Sequence, residues 1–363
     1  MATAPRLFFS AGEASGDAYA AQLARRVVRD FGEPVSVEGV GGKRLAAEGG
    51  RLVTDSSRWG AIGIIESALR APTIYQGYLA AKKALRTGQP GVCVPIDFGY
   101  MNIKLARYAK AQGWKVLYFV PPGSWRKDKQ GADMPVVSHE IVTPFSWSAE
   151  ILTKMGGSAH WFGHPLRQMV AQAEVPEAQR SGVALLPGSR EHEVTHNLPV
   201  LIESAKGLGP IRVSVAANLG ETRLRELWKA HGGGEATFHT DLYPMLKSSR
   251  AALVCSGTAT LESALCGCPT IVVYRGSKAM EIEYKIRRPN IEFISLPNIL
   301  LGRKVLPELI QWEANPTKIR ELLDALTTDP SEQLAAFTEL ETILGPANAL
   351  DASAELLLKM LRS

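Results

Sequence analysis

Short apolar runs alternate with stretches of helical periodicity along almost the whole chain. In the first half the runs include RLFFSA, VSVEGVGG, GVCVPIDF and KVLYFVPP, and in the second half GVALLPGS, IRVSVAAN, AALVCSG and PTIVVYR. Alternation of this kind builds parallel sheets whose strands are joined by right-handed helical crossovers. The sequence therefore predicts an α/β fold.

The alternation stops and starts again near the middle of the chain, and 363 residues are enough for two domains. We expect two Rossmann-like domains that face each other across a cleft, at residues 1–168 and 180–330. The polar stretch between them contains Pro176, as a hinge would. Residues 331–363 are predicted to form helices, with a break at Gly345–Pro346.

The composition limits the class of protein. Hydrophobic residues make up 45% of the chain and charged residues 21%, which is ordinary for a globular protein with a sizeable core. The formal net charge of +5 suits an anionic substrate or an acidic membrane surface, but the cations are too dispersed to predict a nucleic-acid partner. The sequence contains no signal segment and no apolar run long enough to span a membrane, so we expect a cytoplasmic protein.

The turns that follow predicted strands are the first places to look for a site, because parallel sheets bind ligands outside the carboxyl ends of their strands. After the first strand, SAGEASGD places Glu13 and Asp17 beside Gly12 and Gly16, whose small size allows close approach to a ligand. The same residues would also make an ordinary turn and helix N-cap. The spacing alone does not decide between the two.

Two further residues of the first half have both a catalytic and a structural interpretation. Asp97 follows a predicted strand in VPIDFGYMN, where a carboxylate can take a proton from an acceptor hydroxyl or simply cap the next helix. His164 lies in FGHPL at the junction of the predicted domains. A single histidine in a turn is more often a hydrogen-bonded structural residue than a catalyst, and we interpret His164 in that way.

The turn LPGSR ends the first strand of the second half. As a phosphate loop, it would offer its backbone N–H groups to a phosphate, since Gly188 opens the backbone. Ser189 can cap the helix or bind an oxygen, and Arg190 can pair with a diphosphate. The residues that follow, HEVTH, match the spacing that places His192 and His196 on one helical face to hold zinc. No G-x-x-H motif that would supply a third zinc ligand follows downstream, so we interpret HEVTH as a chance match and expect no metal.

The turn SGTATLESA ends another strand of the second half. A phosphate beside Ser256, Gly257 and Thr258 would meet free N–H groups and the positive end of a helix dipole. Glu262, one turn into that helix, can accept hydrogen bonds from ribose hydroxyls. Two such turns in one half of the chain, each at a strand end, favour a site for a nucleoside diphosphate.

Residues 58–86 combine an apolar cluster with flanking cations. The apolar members are Trp59, Ile62, Ile64, Ile65, Leu69, Ile74, Tyr75 and Tyr78. The cations are Arg58, Arg70, Lys82, Lys83 and Arg86. Such a cluster can hold acyl chains or lie against anionic lipid, and it can equally be core packing with a solvated basic face.

In this order, the motifs resemble those of the lipid A disaccharide synthase family. The resemblance is carried by SAGEASGD, GVGGKRLAAEG, IGIIES, FGHPL, LLPGSREHEV, SGTATLE, VVYR and LPNILLGRKVLPELIQ. It extends from about residue 6 to residue 358. The resemblance implies an inverting glycosyltransferase of the GT-B type, in which two Rossmann-like domains face a cleft.

The resemblance also implies the substrates. Members transfer 2,3-diacylglucosamine from UDP to the 6-hydroxyl of 2,3-diacylglucosamine 1-phosphate, which releases UDP and gives a β-1,6 disaccharide. The first domain would bind the acceptor and the second the UDP-sugar, without a metal or other cofactor. The family further implies peripheral association with the inner membrane face. It also implies a C-terminal segment that packs back on the first domain or is exchanged between the chains of a homodimer.

The resemblance assigns a set of residues to the donor. By resemblance, the donor site would consist of Ser189, Arg190, Ser256, Gly257, Thr258, Glu262, Asn298, Glu308 and Gln311.

The first half departs from the family pattern where the catalytic base is expected. The family pattern I-D-x-P-D-F-N is IDFGYMN in this chain, so that Tyr100 replaces the second Asp. A tyrosine with an ordinary pKa of about 10 is a poor base at neutral pH. Two further departures, at PPGSWR and PFS, also lie in the first half. The candidates for the base are therefore Asp97, Glu13 and Asp17.

The departures all lie in the first half of the chain, whereas the second half keeps the family pattern. Three hypotheses about function follow from this difference. In the first, the protein is a working enzyme of the family type with a relocated base. In the second, it is a related UDP-sugar glycosyltransferase with a different acceptor. In the third, it is a non-catalytic relic that binds a UDP-sugar.

Overall fold

The computed structural model of the chain describes residues 4–57, 59, 64–176, 179–277 and 292–363. The chain divides into two compact units, Met1–Gln168 with Leu344–Ser363 and Met169–Ile343. Each unit is a parallel sheet with helices, which confirms the predicted α/β class.

The strands of the first unit are mostly buried on both faces, as expected of a parallel sheet covered by helices. They are β1 (Arg6–Ala11), β2 (Ser36–Gly41), β3 (Arg51–Asp55), β4 (Val92–Ile96), β5 (Lys115–Phe119), β6 (Glu140–Thr143) and β7 (Ala159–Trp161). The helices are α1 (Ala14–Phe31), α2 (Lys43–Ala47), α3 (Ile64–Arg86), α4 (Gly99–Ala111), α5 (Met134–Val137), α6 (Ser146–Lys154) and α7 (Pro165–Ala171). The strand order is β3-β2-β1-β4-β5-β6-β7.

The second unit repeats this plan with shorter strands. They are β8 (Val183–Leu186), β9 (Ile211–Ser214), β10 (Thr237–His239), β11 (Ala251–Val254), β12 (Thr270–Tyr274) and β13 (Glu308–Ile310). The helices are α8 (Glu191–Ala205), α9 (Glu221–Ala230), α10 (Leu242–Ser248), α11 (Thr258–Leu265), α12 (Leu296–Leu301), α13 (Pro316–Thr328) and α14 (Ser331–Leu344), and the last helix, α15 (Ala349–Arg362), belongs to the first unit. The order is β10-β9-β8-β11-β12-β13.

Strand order reverses once in each sheet. In the first sheet β1 lies between β2 and β4, and in the second β8 lies between β9 and β11. A crevice forms outside the carboxyl ends of two neighbouring strands at such a point, because the chain leaves them toward opposite faces of the sheet. The turns after β1 and β4, and those after β8 and β11, are therefore the candidate ligand sites of their units.

The C-terminal segment is divided between the two units. The helix α14 packs on the second unit, where Gln333 exchanges hydrogen bonds of 2.8 and 3.0 Å with the backbone of Thr270. The helix α15 packs on α1 of the first unit, where Arg26 pairs with Asp351 at 2.6 Å. From the sequence we expect residues 331–363 to form one helical segment. In the structure the boundary between the two units falls within this segment, between Ile343 and Leu344, beside the predicted break at Gly345–Pro346.

The apolar cluster around α3 is partly core and partly surface. Trp59 is buried, and Ile74 and Tyr78 pack against the core of the first unit, whereas Tyr75 is 61% exposed. Arg58 and Ile62 lie outside the described residues, as do the side chains of Ile64, Ile65 and Leu69. Among the described residues, the chain has no helix with the length and apolarity that crossing a bilayer requires.

Gln168 of α7 is expected to be one of the polar ties that hold α15 in the first unit. Its buried side chain accepts a hydrogen bond from the N–H of Leu350 at 2.6 Å and donates one to Asp351 at 2.6 Å. Gln168→Ala would leave that buried N–H without this partner, so we expect the free energy of unfolding to fall by about 1–3 kcal/mol. Urea denaturation measures the loss. Glu355→Ala, on the exposed side of α15, is the control, and equal midpoints for the two variants would contradict the prediction.

Candidate functional site

The turn after β4 is the most strained stretch of the first unit. Asp97, Phe98 and Gly99 have consecutive positive φ values of 45°, 53° and 38°. Two adjacent non-glycine residues in the left-handed region are uncommon, and each costs on the order of 1–3 kcal/mol. Such strain persists only where the surroundings impose it, and it is concentrated at functional sites.

Hydrogen bonds to the neighbouring strand β5 and to helix α4 hold the backbone of Asp97. Its N–H donates to the carbonyl of Phe119 at 3.1 Å, and its own carbonyl accepts from the Tyr118 hydroxyl at 3.0 Å. Burial, followed by the negative charge of Asp97, raises the pKa of Tyr118 well above its ordinary value, so the hydroxyl stays protonated and remains a donor. The amide of the buried Asn102 donates to the same carbonyl at 3.1 Å.

The ring of Phe98 lies against the loop after β1. A Cβ atom at Gly12 would stand 2.1 Å from that ring, so only glycine fits there. The other side of the ring faces Trp59, with ring centroids 5.8 Å apart. The close approach predicted for Gly12 therefore occurs, but the group that approaches is Phe98.

The carboxyl group of Asp97 has the properties of a general base. Part of the Asp97 residue is exposed to solvent, but the surrounding protein atoms exclude much of the water that would otherwise stabilise the charged carboxylate. Together with the nearby Glu13 carboxylate, this desolvation raises the pKa of Asp97 to about 6. A general base transfers protons most effectively when its pKa lies near the pH at which the enzyme works. The structure thus brings together two of the three predicted catalytic residues.

The third candidate, Asp17, has a structural task. Its buried carboxylate accepts hydrogen bonds from the N–H groups of Gly42 at 2.6 Å, Arg44 at 3.0 Å and Leu45 at 3.2 Å. It therefore caps the start of α2. A carboxylate occupied in this way is a poor candidate for proton transfer, and we do not retain Asp17 as a base.

Tyr100 and His164 do not take over the role of the missing carboxylate. The side chain of Tyr100 is 74% exposed in the first turn of α4, with the Lys104 ammonium 4.2 Å from its ring centroid. His164 is buried, and this burial lowers its pKa to about 3. Its Nδ1 accepts a hydrogen bond from the N–H of Leu166 at 3.2 Å. His164 is a neutral structural residue, as the sequence indicated.

The loop after β8 differs from its predicted role as a phosphate cradle. The buried carboxylate of Glu193 accepts hydrogen bonds from the N–H groups of Ser189 at 2.9 Å and Arg190 at 3.2 Å. The guanidinium of Arg190 pairs with the same carboxylate at 2.5 Å. The expectation that this loop offers those two N–H groups to a phosphate is therefore wrong, because Glu193 already occupies them. The Arg190 side chain remains the candidate contact to a diphosphate.

The turn after β11 has the predicted open geometry. Gly257, with φ of 145°, is exposed, and within the described part of the chain no atom lies within 4 Å of where its Cβ would stand. Among the described residues, no side chain caps the first turn of α11, which begins at Thr258. The hydroxyl of Ser256 donates to the carbonyl of Ile294 at 2.9 Å. The start of α11 is thus better suited to an anion than the start of α8.

Asn298 and Glu308 are buried and engaged in hydrogen bonds within the second unit. The Glu308 carboxylate accepts from the N–H groups of Ile294 and Ser295, both at 2.9 Å, and from the amide of Asn298 at 2.8 Å. Asn298 is fully buried. Its side-chain amide also donates to the carbonyl of Leu306 and accepts from the N–H of the same residue. These bonds order the segment that Ser256 contacts. Their predicted role at the nucleotide or sugar stays a prediction.

The two remaining donor candidates lie at strand and helix ends. Gln311, directly after β13, is nearly buried with φ of 54°, and its side chain accepts from the N–H of Gly276 at 3.3 Å. Glu262, in the first part of α11, accepts from the Tyr243 hydroxyl at 3.0 Å. In the described residues, groups of three or more His, Cys, Asp or Glu side chains with metal-binding geometry do not occur, and His192 and His196 lie on α8 without a third ligand.

Asn102 and Tyr118 were not singled out from the sequence. Tyr118 reaches the backbone of Asp97 from the next strand and Asn102 from the following helix, five residues further on. Asn102 follows a predicted strand end and stands at the last position of the family pattern I-D-x-P-D-F-N.

Solved structures share the fold of this chain. A glycosyltransferase of kitacinnamycin superposes with a TM-score of 0.61 at 14% identity and 98% coverage of each chain. Staphylococcus aureus MnaA with UDP gives 0.60 at 12% identity, covering 99% of this chain and 98% of that one. At such identities the likeness concerns the fold alone. It is the α/β fold of GT-B glycosyltransferases and related epimerases, with a helical C-terminus.

Sequence relatives define the family. The family model for lipid-A-disaccharide synthetase matches residues 7–343. Lipid-A-disaccharide synthase of Myxococcus xanthus is 32% identical, with 99% of both chains covered, and that of Syntrophus aciditrophicus is 33% identical, with 97% of both covered. The chain belongs to the lipid-A-disaccharide synthetase family, which is a family of glycosyltransferases.

Gly12→Ala tests the contact between the two turns of the first unit. The added methyl group would clash with the Phe98 ring and displace the Asp97 turn, so we expect turnover to fall by about tenfold or more. Gly16→Ala is the matched control, because its Cβ would meet only Ala11 at 3.3 Å and Ile96 at 3.6 Å. Equal turnover of the two variants under saturating substrate would show that the Phe98 contact does not matter.

Proposed function

We propose that the protein transfers 2,3-diacylglucosamine from UDP to the 6-hydroxyl of 2,3-diacylglucosamine 1-phosphate. The products are the β-1,6 disaccharide 1-phosphate and UDP, and the anomeric configuration is inverted. Family membership supports the choice of substrates. The observation that carries the proposal is the Asp97 carboxyl, with its pKa raised to about 6, at the switch point of the first sheet.

In the proposed reaction Asp97 is the base. Its carboxylate takes the proton of the acceptor 6-hydroxyl as that oxygen attacks the anomeric carbon of the donor. The bond from the anomeric carbon to the UDP oxygen breaks, and its electron pair leaves with the diphosphate. Attack on the face opposite the leaving group inverts the configuration. The new glycosidic bond replaces the one that breaks, and the proton rests on Asp97 until solvent removes it.

The second unit would stabilise the leaving diphosphate. The uncapped start of α11, at Gly257 and Thr258, provides backbone N–H groups and the positive end of a helix dipole. The Arg190 guanidinium would add a fixed positive charge. Positive groups arranged in advance around a leaving anion stabilise the transition state. Glu262 and Gln311 would contact the ribose or the sugar.

Acylated substrates imply that the protein works at a membrane surface. The exposed face of α3 supports this part of the proposal, because Tyr75 and Leu79 are 61% and 46% exposed and the cations Lys83 and Arg86 follow on the same helix. Aromatic and aliphatic side chains bordered by cations suit an interface with anionic lipid.

Product analysis with purified protein tests the proposed function. With UDP-2,3-diacylglucosamine and 2,3-diacylglucosamine 1-phosphate, we expect equimolar UDP and a disaccharide whose new linkage is β. Binding of the donor without disaccharide formation would contradict it. Activity with another acceptor would then indicate a related glycosyltransferase, and no activity with any acceptor would indicate a binding protein.

The pH dependence of kcat/KM is expected to follow the Asp97 carboxyl. Below its pKa of about 6 the group is protonated and accepts no proton, so the rate should fall about tenfold for each further unit of pH. Glu13→Gln removes the neighbouring negative charge, which lowers the pKa of Asp97, while desolvation remains. The acid limb should therefore move to lower pH in that variant. An unchanged limb would contradict the pairing of the two carboxyls.

Arg190→Ala is expected to weaken use of the donor. A charge-assisted hydrogen bond contributes about 1.5–3 kcal/mol, which corresponds to a roughly ten- to hundredfold loss of kcat/KM for the donor. The KM for the acceptor should stay the same. Arg223→Ala is the matched control, since Arg223 pairs with Glu191 on the exposed surface near the start of α8. Equal donor kinetics in the two variants would count against a diphosphate role for Arg190.

A further inference from the structure

We propose that Asn102 is a positioning residue for the reaction, which holds the strained Asp97 turn so that the carboxylate faces the loop after β1. The inference rests on the proposed function, in which Asp97 is the base, and it assigns the direction of that base to a single buried amide. Within the described residues, the other hydrogen bonds to the Asp97 backbone come from β5, where the Phe119 carbonyl accepts from its N–H and the Tyr118 hydroxyl donates to its carbonyl.

The hydrogen bonds of Asn102 converge on the switch point. The two hydrogens of its Nδ2 are shared among three carbonyl acceptors, those of Ser10 at 2.9 Å, Ile96 at 3.0 Å and Asp97 at 3.1 Å. These carbonyls belong to β1, to the end of β4 and to the turn itself. One amide group therefore joins the turn to both strands between which the crevice forms.

The orientation of this amide is determined by a fourth hydrogen bond. The hydroxyl of Ser10 donates to Asn102 Oδ1 at 2.6 Å, and both side chains are fully buried. Three carbonyl oxygens surround Nδ2, and these can only accept hydrogen bonds. If the amide were flipped, its own oxygen would face those three carbonyls and find no donor among them. The bonded arrangement is thus the one that the surroundings permit.

The connection to β1 gives Asn102 a role beyond packing. The strand β1 leads directly into Gly12 and Glu13, and the Glu13 carboxylate acts on that of Asp97. The strand β4 lies between β1 and β5, and the hydrogen bonds to Phe119 and Tyr118 fix Asp97 relative to β5. The bonds of Asn102 place it relative to the loop that carries Glu13. Loss of the amide would leave the left-handed backbone free to relax and the carboxylate free to turn away.

A double-mutant cycle separates positioning from structural support. Asn102→Ala is expected to lower kcat by about a hundredfold, the usual cost of a displacement of about 1 Å at a reacting group, while the donor KM and the Kd for UDP change less than about twofold. In an Asp97→Asn background the same change should lower kcat by less than about twofold, because the base is already absent. An equal loss in both backgrounds would mean general structural support and would overturn the proposal.

Two further variants distinguish a loss of positioning from a general loss of stability. Ser10→Ala keeps the amide but removes the bond that orients it, so we expect the same split between kcat and KM with a loss of about tenfold. Leu105→Ala, on the buried side of α4, lowers the Tm without touching the turn and is the matched control. If Leu105→Ala at equal loss of Tm reduces kcat as much as Ser10→Ala, the proposal fails.

A second readout does not need turnover and so distinguishes failure of this inference from failure of the proposed function. In protein labelled with ¹³C-aspartate, the carboxyl resonance of Asp97 is identified by its absence from Asp97→Asn and titrated by NMR. Asn102→Ala should move the midpoint from about 6 toward the ordinary value, as the carboxyl leaves its desolvated place near Glu13. An unchanged midpoint would overturn the positioning role even if the wild-type protein forms the disaccharide. A shifted midpoint supports it even if no disaccharide forms.

Discussion

The reversal of strand order at β1 and β4, and again at β8 and β11, is the constraint on which both candidate sites depend. Each reversal opens a crevice outside the carboxyl ends of two adjacent strands. The residues that follow those strands are Glu13 and Asp97 in one unit, and Arg190 and Gly257 in the other. Distant parts of the sequence meet there because the sheet order places their strands side by side.

The two units use this common plan in different ways. In the first, buried hydrogen bonds maintain a strained turn, and desolvation beside Glu13 raises the pKa of the Asp97 carboxyl. In the second, Glu193 fills the start of α8, whereas the start of α11 lacks a side-chain cap among the described residues. In the proposed reaction, the first unit would supply the proton acceptor, and the second would place the positive end of a helix dipole beside the leaving diphosphate.

Much of this organisation was predictable from the sequence. The apolar runs and their alternation predicted the strands and the α/β class, and the rule that ligands bind at strand ends located Asp97 and Gly257. The tasks of Asp17, Glu193, Asn298 and Asn102 were not predictable, because each depends on hydrogen bonds to backbone groups whose direction is set only by the folded turns. A polar residue at a strand end indicates a ligand contact and a buried cap equally well.

The replacement of the family's second Asp by Tyr100 makes the identity of the base the central question, since Tyr100 is exposed and Asp97 lies in the strained turn. The most direct measurement is the turnover of Asp97→Asn with both natural substrates, together with its affinity for UDP. The account predicts a loss of about 10²–10⁴-fold in kcat with UDP affinity unchanged, because the base and the nucleotide contacts belong to different units. Turnover near that of the wild type would contradict it.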